Sequence, residues 1–334
     1  MNPKVSIVMI GRNEERSIGK CVEAALAAAK QIGGAEMLYV DSNSTDQTAA
    51  VVESYGVNVL RLSPGLRPSP SAGRFMGSLY ARGDFILFLD ADTWICPDFL
   101  PEAVKFLEDN FDVGGVNGYI DDFNESGEQV FGIDERSEAV ADVRWLRGPC
   151  CFYRSEALRQ AGPFNPHLAT EEEAELGLRL VGNGWKLRVL PRPMARHTRC
   201  YHGVTMESVI TTFRRDMVSK RLGEITRTIA CAFNNGNGFA FCWLRLRTTI
   251  LFLVWSFAIA LCFFLPDSLH PGIVIVSLVL LGGSIIFVKK RSFSQTLLFI
   301  PSKILNVIDI LAGLHKIAAK EPRILSLENI NRRS

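Results

Sequence analysis

Phe85-Ile86-Leu87-Phe88-Leu89 is an unbroken apolar run of strand length, preceded by Gly83-Asp84 and ending on Asp90-Ala91-Asp92. Such a run has no polar face, which is the pattern of a strand buried on both sides in a parallel sheet. Open α/β sheets bind ligands beyond the carboxyl ends of their strands. There this strand delivers two carboxylates, one residue apart. Like charges so close are costly unless a cation shares them, and a hard divalent ion with oxygen ligands suits them. Read alone, Asp-x-Asp also fits an ordinary acidic turn.

The preceding residues repeat the design. Strand patterns at 5–10, 36–40 and 57–60 alternate with helix patterns at 14–31, 47–55 and 73–82, with 63–71 reading as a mobile loop. Strands alternating with helices at this spacing make βαβ units, hence a parallel sheet with right-handed crossovers. Their ends carry Asn13 and Glu14, then Asp41 and Asp46, then Asp90 and Asp92, so these groups converge on one cleft. The sequence has no GxGxxG or GxxxxGK, so phosphates are not cradled by a glycine-rich loop. A carboxylate-lined cleft suits a nucleotide diphosphate held through a bridging metal. Asp41, Ser44 and Asp46 equally fit a helix cap. Further on, 98–110, 135–145, 155–161 and 171–183 read as helices, 113–120 and 186–190 as strands, 121–127 as a polar turn, and 206–227 as a basic helix.

A net charge of +2 offers no basic field for nucleic acid. The eight cysteines form no CxxC framework, and the amino-terminal apolar run is too short for a signal peptide, so free thiols in a reducing compartment are expected. Residues 248–265 and 271–288 are each uncharged over 18 residues, at the lower edge of what spans a hydrocarbon core of about 30 Å. Arg245 and Arg247 precede the first, and Lys289-Lys290-Arg291 follow the second. The positive-inside rule therefore predicts a hairpin with both ends cytoplasmic. Over 296–320, Ser302, Asn306, Asp309, Gly313, Lys316 and Lys320 form one polar stripe, which favours a helix lying in the membrane interface over a third span.

At this point the motifs resemble a known family. Val5-Ser6-Ile7-Val8 with Asn13-Glu14, Val40 to Asp46, Arg74 with Gly77, and Ala81-Arg82-Gly83-Asp84 running into Asp90-Ala91-Asp92 are similar to the family 2 glycosyltransferases of GT-A fold. Gly148 to Arg154, Gly162-Pro163-Phe164 and Glu172 to Leu180 resemble that family's acceptor-side loop and acidic helix. The fold implied is α/β, a Rossmann-like GT-A catalytic domain with a mostly parallel sheet over 1–240. A transmembrane hairpin (241–292) and an amphipathic helix with tail (293–334) follow it. The resemblance implies a nucleotide-sugar donor held by Asn13, Glu14, Asp41, Arg74 and Asp90, with Asp92 and Asp90 toward Mg²⁺ or Mn²⁺. It implies Glu173 as general base and Glu172 as its orienting partner. The family more often has Asp at the position of Glu173, which leaves the choice between the two glutamates open. Gly148, Pro149 and His202 are candidates on the acceptor or diphosphate side, and His197, like His202, is a candidate metal or diphosphate contact near the end of the domain. The expectation is an inverting, one-sugar-per-event transferase on the cytoplasmic face of a bacterial inner membrane. A Gln-x-x-Arg-Trp pattern is absent from the helix beginning near Met206. Its acceptor would be a lipid-linked saccharide or polyprenyl phosphate itself, and a homo-oligomer stays open. From other classes, a nucleotidyltransferase would open with a glycine-rich loop and a lysine that this chain lacks, and a non-catalytic membrane scaffold retaining the fold would form no product.

Overall fold

In the computed structural model, the structure describes residues 3–63, 65–123, 129–130, 138–198, 224–262, 303–304 and 307–313. Contacts divide the chain into two compact units, Met1–Tyr201 with Lys320–Ser334, and His202–Ala319.

The first unit is built on strand β1 (Val5–Gly11), which lies between β2 (Glu36–Asp41) and β4 (Phe85–Asp90), parallel to both, with β3 (Asn58–Arg61) parallel outside β2. Alternate residues of β1 serve different faces. Ile7 and Met9 pack with helices α1 (Ile18–Gln31), α2 (Thr48–Ser54) and α4 (Phe99–Asp109), whereas Val8 and Ile10 pack with α3 (Pro70–Tyr80), α5 (Ser155–Ala161) and α6 (Glu172–Gly182). This two-sided burial is why Phe85–Leu89 carries no polar alternation.

Beyond β4 the sheet becomes mixed. Strand β9 (Cys150–Arg154) runs antiparallel to β4 on one side and to β6 (Val113–Phe123) on the other. Strand β10 (Lys186–Thr198) is parallel to β6, and β5 (Thr93–Ile95) closes the order antiparallel to β10. The short strands β7 (Gln129–Val130) and β8 (Ala141–Val143) pair with β6 and β10. The α/β expectation holds, with a parallel half and a mixed half in one sheet.

Five local expectations differ from the structure, the simplest being that β6 runs on to Phe123, through the first residues of the polar turn expected at 121–127. Helix α1 begins at Ile18, not near Glu14, because the residues between bond to the neighbouring loop instead. Asn13 N–H donates to Ser44 Oγ (2.9 Å), Glu14 N–H to Thr48 Oγ1 (2.8 Å), and Thr45 N–H to Asn13 Oδ1 (2.8 Å). Helix α3 starts at Pro70, inside the expected loop. Proline at the first helical position needs no N–H donor, and Ser69 Oγ accepts from Ala72 N–H at 3.1 Å. Within 135–145, the described part is a bend and then β8, held as strand by its pairing with Leu187–Val189. Finally, β10 continues past Leu190 to Thr198, through Pro191 and Pro193, with register shifts between Val189 and Pro193 and between Pro193 and Ala195. Proline inside a strand pattern argues against a strand, and the bulges are what accommodate it here.

Ser69 also donates to Leu168 O (3.0 Å) from a buried position. Ser69→Ala is expected to lower stability by about 1 kcal/mol, the usual cost of a lost N-cap. A lower denaturant midpoint at unchanged slope checks this.

The second unit contains α7 (Glu224–Asn234) and α8 (Gly238–Cys262), with further helix at 303–304 and 307–313. Thr226 Oγ1 donates to Ile310 O at 2.9 Å. Helix α8 has 25 residues. At 1.5 Å per residue it is about 37 Å long, and Gly238–Leu261 is apolar enough to cross a membrane. Val254 and Phe257 are exposed on it. The expected first span begins ten residues inside this helix, after Arg245 and Arg247. The expected second span, His202, the basic helix up to 223, and most of 296–320 lie outside the described residues.

Candidate active site

The register of the parallel strands sets the acidic positions side by side. Gly11 on β1 is level with Asp41 on β2, and Ile10 is level with Asp90 on β4. Asp41 is buried, and both its carboxylate oxygens accept from Ser44 N–H, at 3.0 and 3.3 Å. Asp46 Oδ1 accepts from Thr48 N–H at 3.0 Å in a turn leading into α2, whose N-cap is Gln47, without a side-chain cap bond, and not one of the expected residues. Burial raises the Glu14 carboxyl above its ordinary range. A hydrogen bond from Ser17 opposes the rise, and the charges of Asp92 and Asp46 add to it. Glu14, Asp46 and Asp92 therefore share one electrostatic neighbourhood.

Arg74 on α3 is the centre of the site. It is 1 % exposed. Its Nη2 donates to Asp90 Oδ1 (2.8 Å) and to Gly148 O (2.9 Å), while Nη1 donates to Glu172 Oε1 (2.9 Å) and Glu173 Oε1 (3.4 Å). The face of Phe164 lies 5.4 Å from the guanidinium. Burial works against the charge, but Asp90, Glu173 and Glu172 outweigh it, so Arg74 stays protonated. Desolvation pushes Asp90 up to about 6, with Arg74 opposing and Asp92 adding to the rise. Desolvation also raises both Glu172 and Glu173, again against Arg74.

Both glutamates open α6, directly after Glu171, whose φ of 58° is left-handed. That conformation is uncommon for a residue other than glycine, asparagine or aspartate and costs on the order of 1 kcal/mol, a strain found preferentially at functional sites. Arg179, one helical turn beyond Glu175, stitches the helix to the loop before it. It pairs with both Glu175 oxygens and donates to Ala161 O, Gly162 O and Pro163 O. This fixes Phe164 under Arg74. On the other side, Asn117 Nδ2 holds Arg147 O and Cys150 O, and Asp90 N–H holds Pro149 O (2.9 Å). The segment so pinned presents Gly148, whose Cα faces Glu173. A Cβ there would lie 1.8 Å from Glu173 Oε1.

Asp92 is 35 % exposed, and His197 Nε2 lies 3.4 Å from its Oδ2. The other ring nitrogen, Nδ1, is 2.9 Å from Asp122 Oδ1. Burial lowers the basicity of His197, but the two carboxylates more than compensate, and its pKa is raised to about 9. Among the described residues no three histidine, cysteine or carboxylate side chains come together as a metal cage. Magnesium-type sites need less, since one or two carboxylates complete their shell with substrate phosphates and water. The partly exposed Asp92 beside Asp90 fits that chemistry.

The structure thus brings Asn13, Glu14, Asp41, Arg74, Asp90, Asp92, Gly148, Pro149, Glu172 and Glu173 to one end of the sheet. The sequence alone marks neither Asn117 nor Asp122, and it offers Phe164 and Arg179 only as members of motifs. His197, expected with His202 as a metal or diphosphate contact, lies against Asp92 and Asp122. The extension of β10 carries it to Asp92.

Two family models match this chain, glycosyl transferase family 2 over residues 6–160 and glycosyl transferase family group 2 over residues 85–280. An undecaprenyl-phosphate 4-deoxy-4-formamido-L-arabinose transferase of Sodalis glossinidius is 31 % identical over 118 residues, 34 % of this chain and 36 % of that one. A beta-monoglucosyldiacylglycerol synthase of Synechocystis is 25 % identical over 206 residues, 57 % of this chain and 43 % of that one. The chain therefore matches less than half the length of these relatives. Among solved structures, the mannosyltransferase PcManGT of Pyrobaculum calidifontis, in complex with GDP-Man and Mn²⁺, aligns at TM-score 0.61 and 15 % identity over 96 % of this chain and 89 % of that one. TarS of S. aureus with UDP-GlcNAc aligns at TM-score 0.51 and 20 % identity over 72 % and 73 %. At these identities the structural likeness speaks for the fold, and the fold is GT-A. With a family model matched over more than half its length, the chain belongs to the family 2 glycosyltransferases.

Proposed function

We propose that this chain transfers a sugar from a nucleotide-diphosphate donor to a hydroxyl of a lipid-linked saccharide, with inversion and with one sugar added per binding event. The observation that carries the reading is the Arg74 cluster, which ties the donor-side carboxylate Asp90 to the glutamates opening α6. In this reading Asp41 receives the base of the nucleotide, with Asn13 and Glu14 beside it, and Asp90 faces the ribose. Asp92 and Asp90 would hold Mg²⁺ or Mn²⁺, which when bound supplies positive charge to the departing diphosphate. Glu173 removes the proton of the acceptor hydroxyl as its oxygen attacks the anomeric carbon. The raised pKa of Glu173 brings its basicity closer to the working pH. Glu172 shares Arg74 with Glu173 and orients it.

A phosphate acceptor would need no base. In this reading Glu172 and Glu173 on the acceptor side already occupy Nη1 of Arg74, which favours a neutral hydroxyl over a phosphate there. For the membrane we propose a hairpin within 241–292 and an interfacial helix within 293–334, both ends on the cytoplasmic side of a bacterial inner membrane. The exposed apolar surface of α8 supports this. The missing Gln-x-x-Arg-Trp pattern supports single addition.

A panel of nucleotide sugars screened by thermal shift with Mn²⁺ identifies the donor, since a ligand bound only to the folded state raises apparent stability. With that donor, EDTA is expected to abolish transfer and Mn²⁺ to restore it. Asp92→Ala should bind the donor with no response to Mn²⁺. Undiminished transfer in EDTA, or donor binding by Asp92→Ala with the wild-type metal response, refutes the metal assignment. Many sugars added to one acceptor refute single addition.

A further inference from the structure

We infer that Arg74 is a positioning residue for the transfer step, one guanidinium fixing the acceptor-side base relative to the donor-side strand end, and that it does not itself bind the donor. The inference rests on the reading of Glu173 as the base. Four acceptors surround the two Nη atoms, and all belong to the protein: Asp90 Oδ1, Gly148 O, Glu172 Oε1 and Glu173 Oε1. At 1 % exposure, Arg74 offers almost no surface to a ligand. Its planar fork meets groups from three separate segments, the end of β4, the 147–149 loop and the first turn of α6. Phe164 covers one face of the guanidinium, within an aromatic cluster of Phe88, Tyr153 and Phe164. Rigidity on this side has a kinetic meaning. Misplacing a reacting group by about 1 Å costs on the order of 10²-fold in rate, with little effect on binding.

Lysine keeps the charge but is a point donor without the fork, so it cannot hold all three segments in one plane. Arg74→Lys is expected to lower kcat by on the order of 10²-fold, with the donor KM within about threefold. The double-mutant cycle with Glu173→Gln tests how it acts, because residues working through one another are strongly non-additive. Once the base is gone, its positioning no longer matters, so Arg74→Lys/Glu173→Gln is expected to match Glu173→Gln alone. A donor KM raised tenfold or more at unchanged kcat overturns the proposal, because Arg74 then serves donor binding, directly or through Asp90, and not the placement of Glu173. Fully multiplicative losses in the cycle overturn it while leaving Glu173 as the base. Wild-type turnover in Glu173→Gln removes the base reading, and this proposal with it. Should Arg74→Lys fail to fold, Phe164→Leu replaces it in the same cycle. That variant frees one face of the guanidinium without removing a charge, and the same three outcomes decide.

Discussion

Glu173→Gln is expected to lower transfer by on the order of 100-fold or more, the usual contribution of a positioned general base. Glutamine is nearly isosteric and still accepts from Arg74, so the site keeps its packing, and the thermal midpoint should stay close to wild type. What disappears is the ability to take a proton. In the wild-type enzyme only the deprotonated carboxyl can act, so kcat/KM should rise with pH through the pKa of Glu173. Burial raises that pKa above the ordinary glutamate value, and Arg74 only partly opposes the shift, so the acid limb should lie above the ordinary carboxylate range. Glu173→Gln should lose this limb. The variant also separates the two acceptor chemistries. With an acceptor phosphate, already anionic, turnover should be nearly intact, and the hydroxyl assignment would then be wrong.

Gly148→Ala should do comparable damage by a steric route. The added methyl would sit 1.8 Å from Glu173 Oε1 and 3.3 Å from Arg74 Nη2. The clashing atom is the far end of a flexible side chain, so the fold absorbs the change by rotating Glu173 away, and stability should fall only slightly. The carboxylate must move by more than 1 Å, and a loss of about 10²-fold in kcat follows from that displacement. Steady-state kinetics beside a thermal melt check both halves. A large drop in melting temperature with kcat preserved in the folded fraction would show that Gly148 serves packing and not placement of Glu173.

The acidic strand ends are legible in the sequence because their signals are local. Apolar runs give β1, β2 and β4, and the register of a parallel sheet then sets Asp41 and Asp90 at one end without further information. The Arg74 cluster is legible only as motifs. Arg74 finds Glu172 98 residues away and Gly148 74 residues away, and no pattern along the chain announces such partners. The expected start of its helix lies three residues late, because Ser69-Pro70 carries the same letters whether it ends a loop or caps a helix. His197 was hidden by Pro191 and Pro193, which mask a strand that survives them by bulging. The stretch around Ala141–Val143 has a helix-like composition, and tertiary pairing with β10 overrides it.

Strand β9 has a consequence for how the molecule is made. It fills the gap between β4 and β6, pairing Leu89 with Cys150 and Val116 with Phe152. As the chain leaves the ribosome, the parallel half up to Asp90 can assemble early. Its most apolar strand, however, keeps an open edge until residues 150–154 emerge. Such edges recruit other strands, and long-range pairings close slowly. The window of greatest aggregation hazard in biogenesis therefore lies between synthesis of Asp90 and of Arg154, the interval in which a chaperone has most to protect.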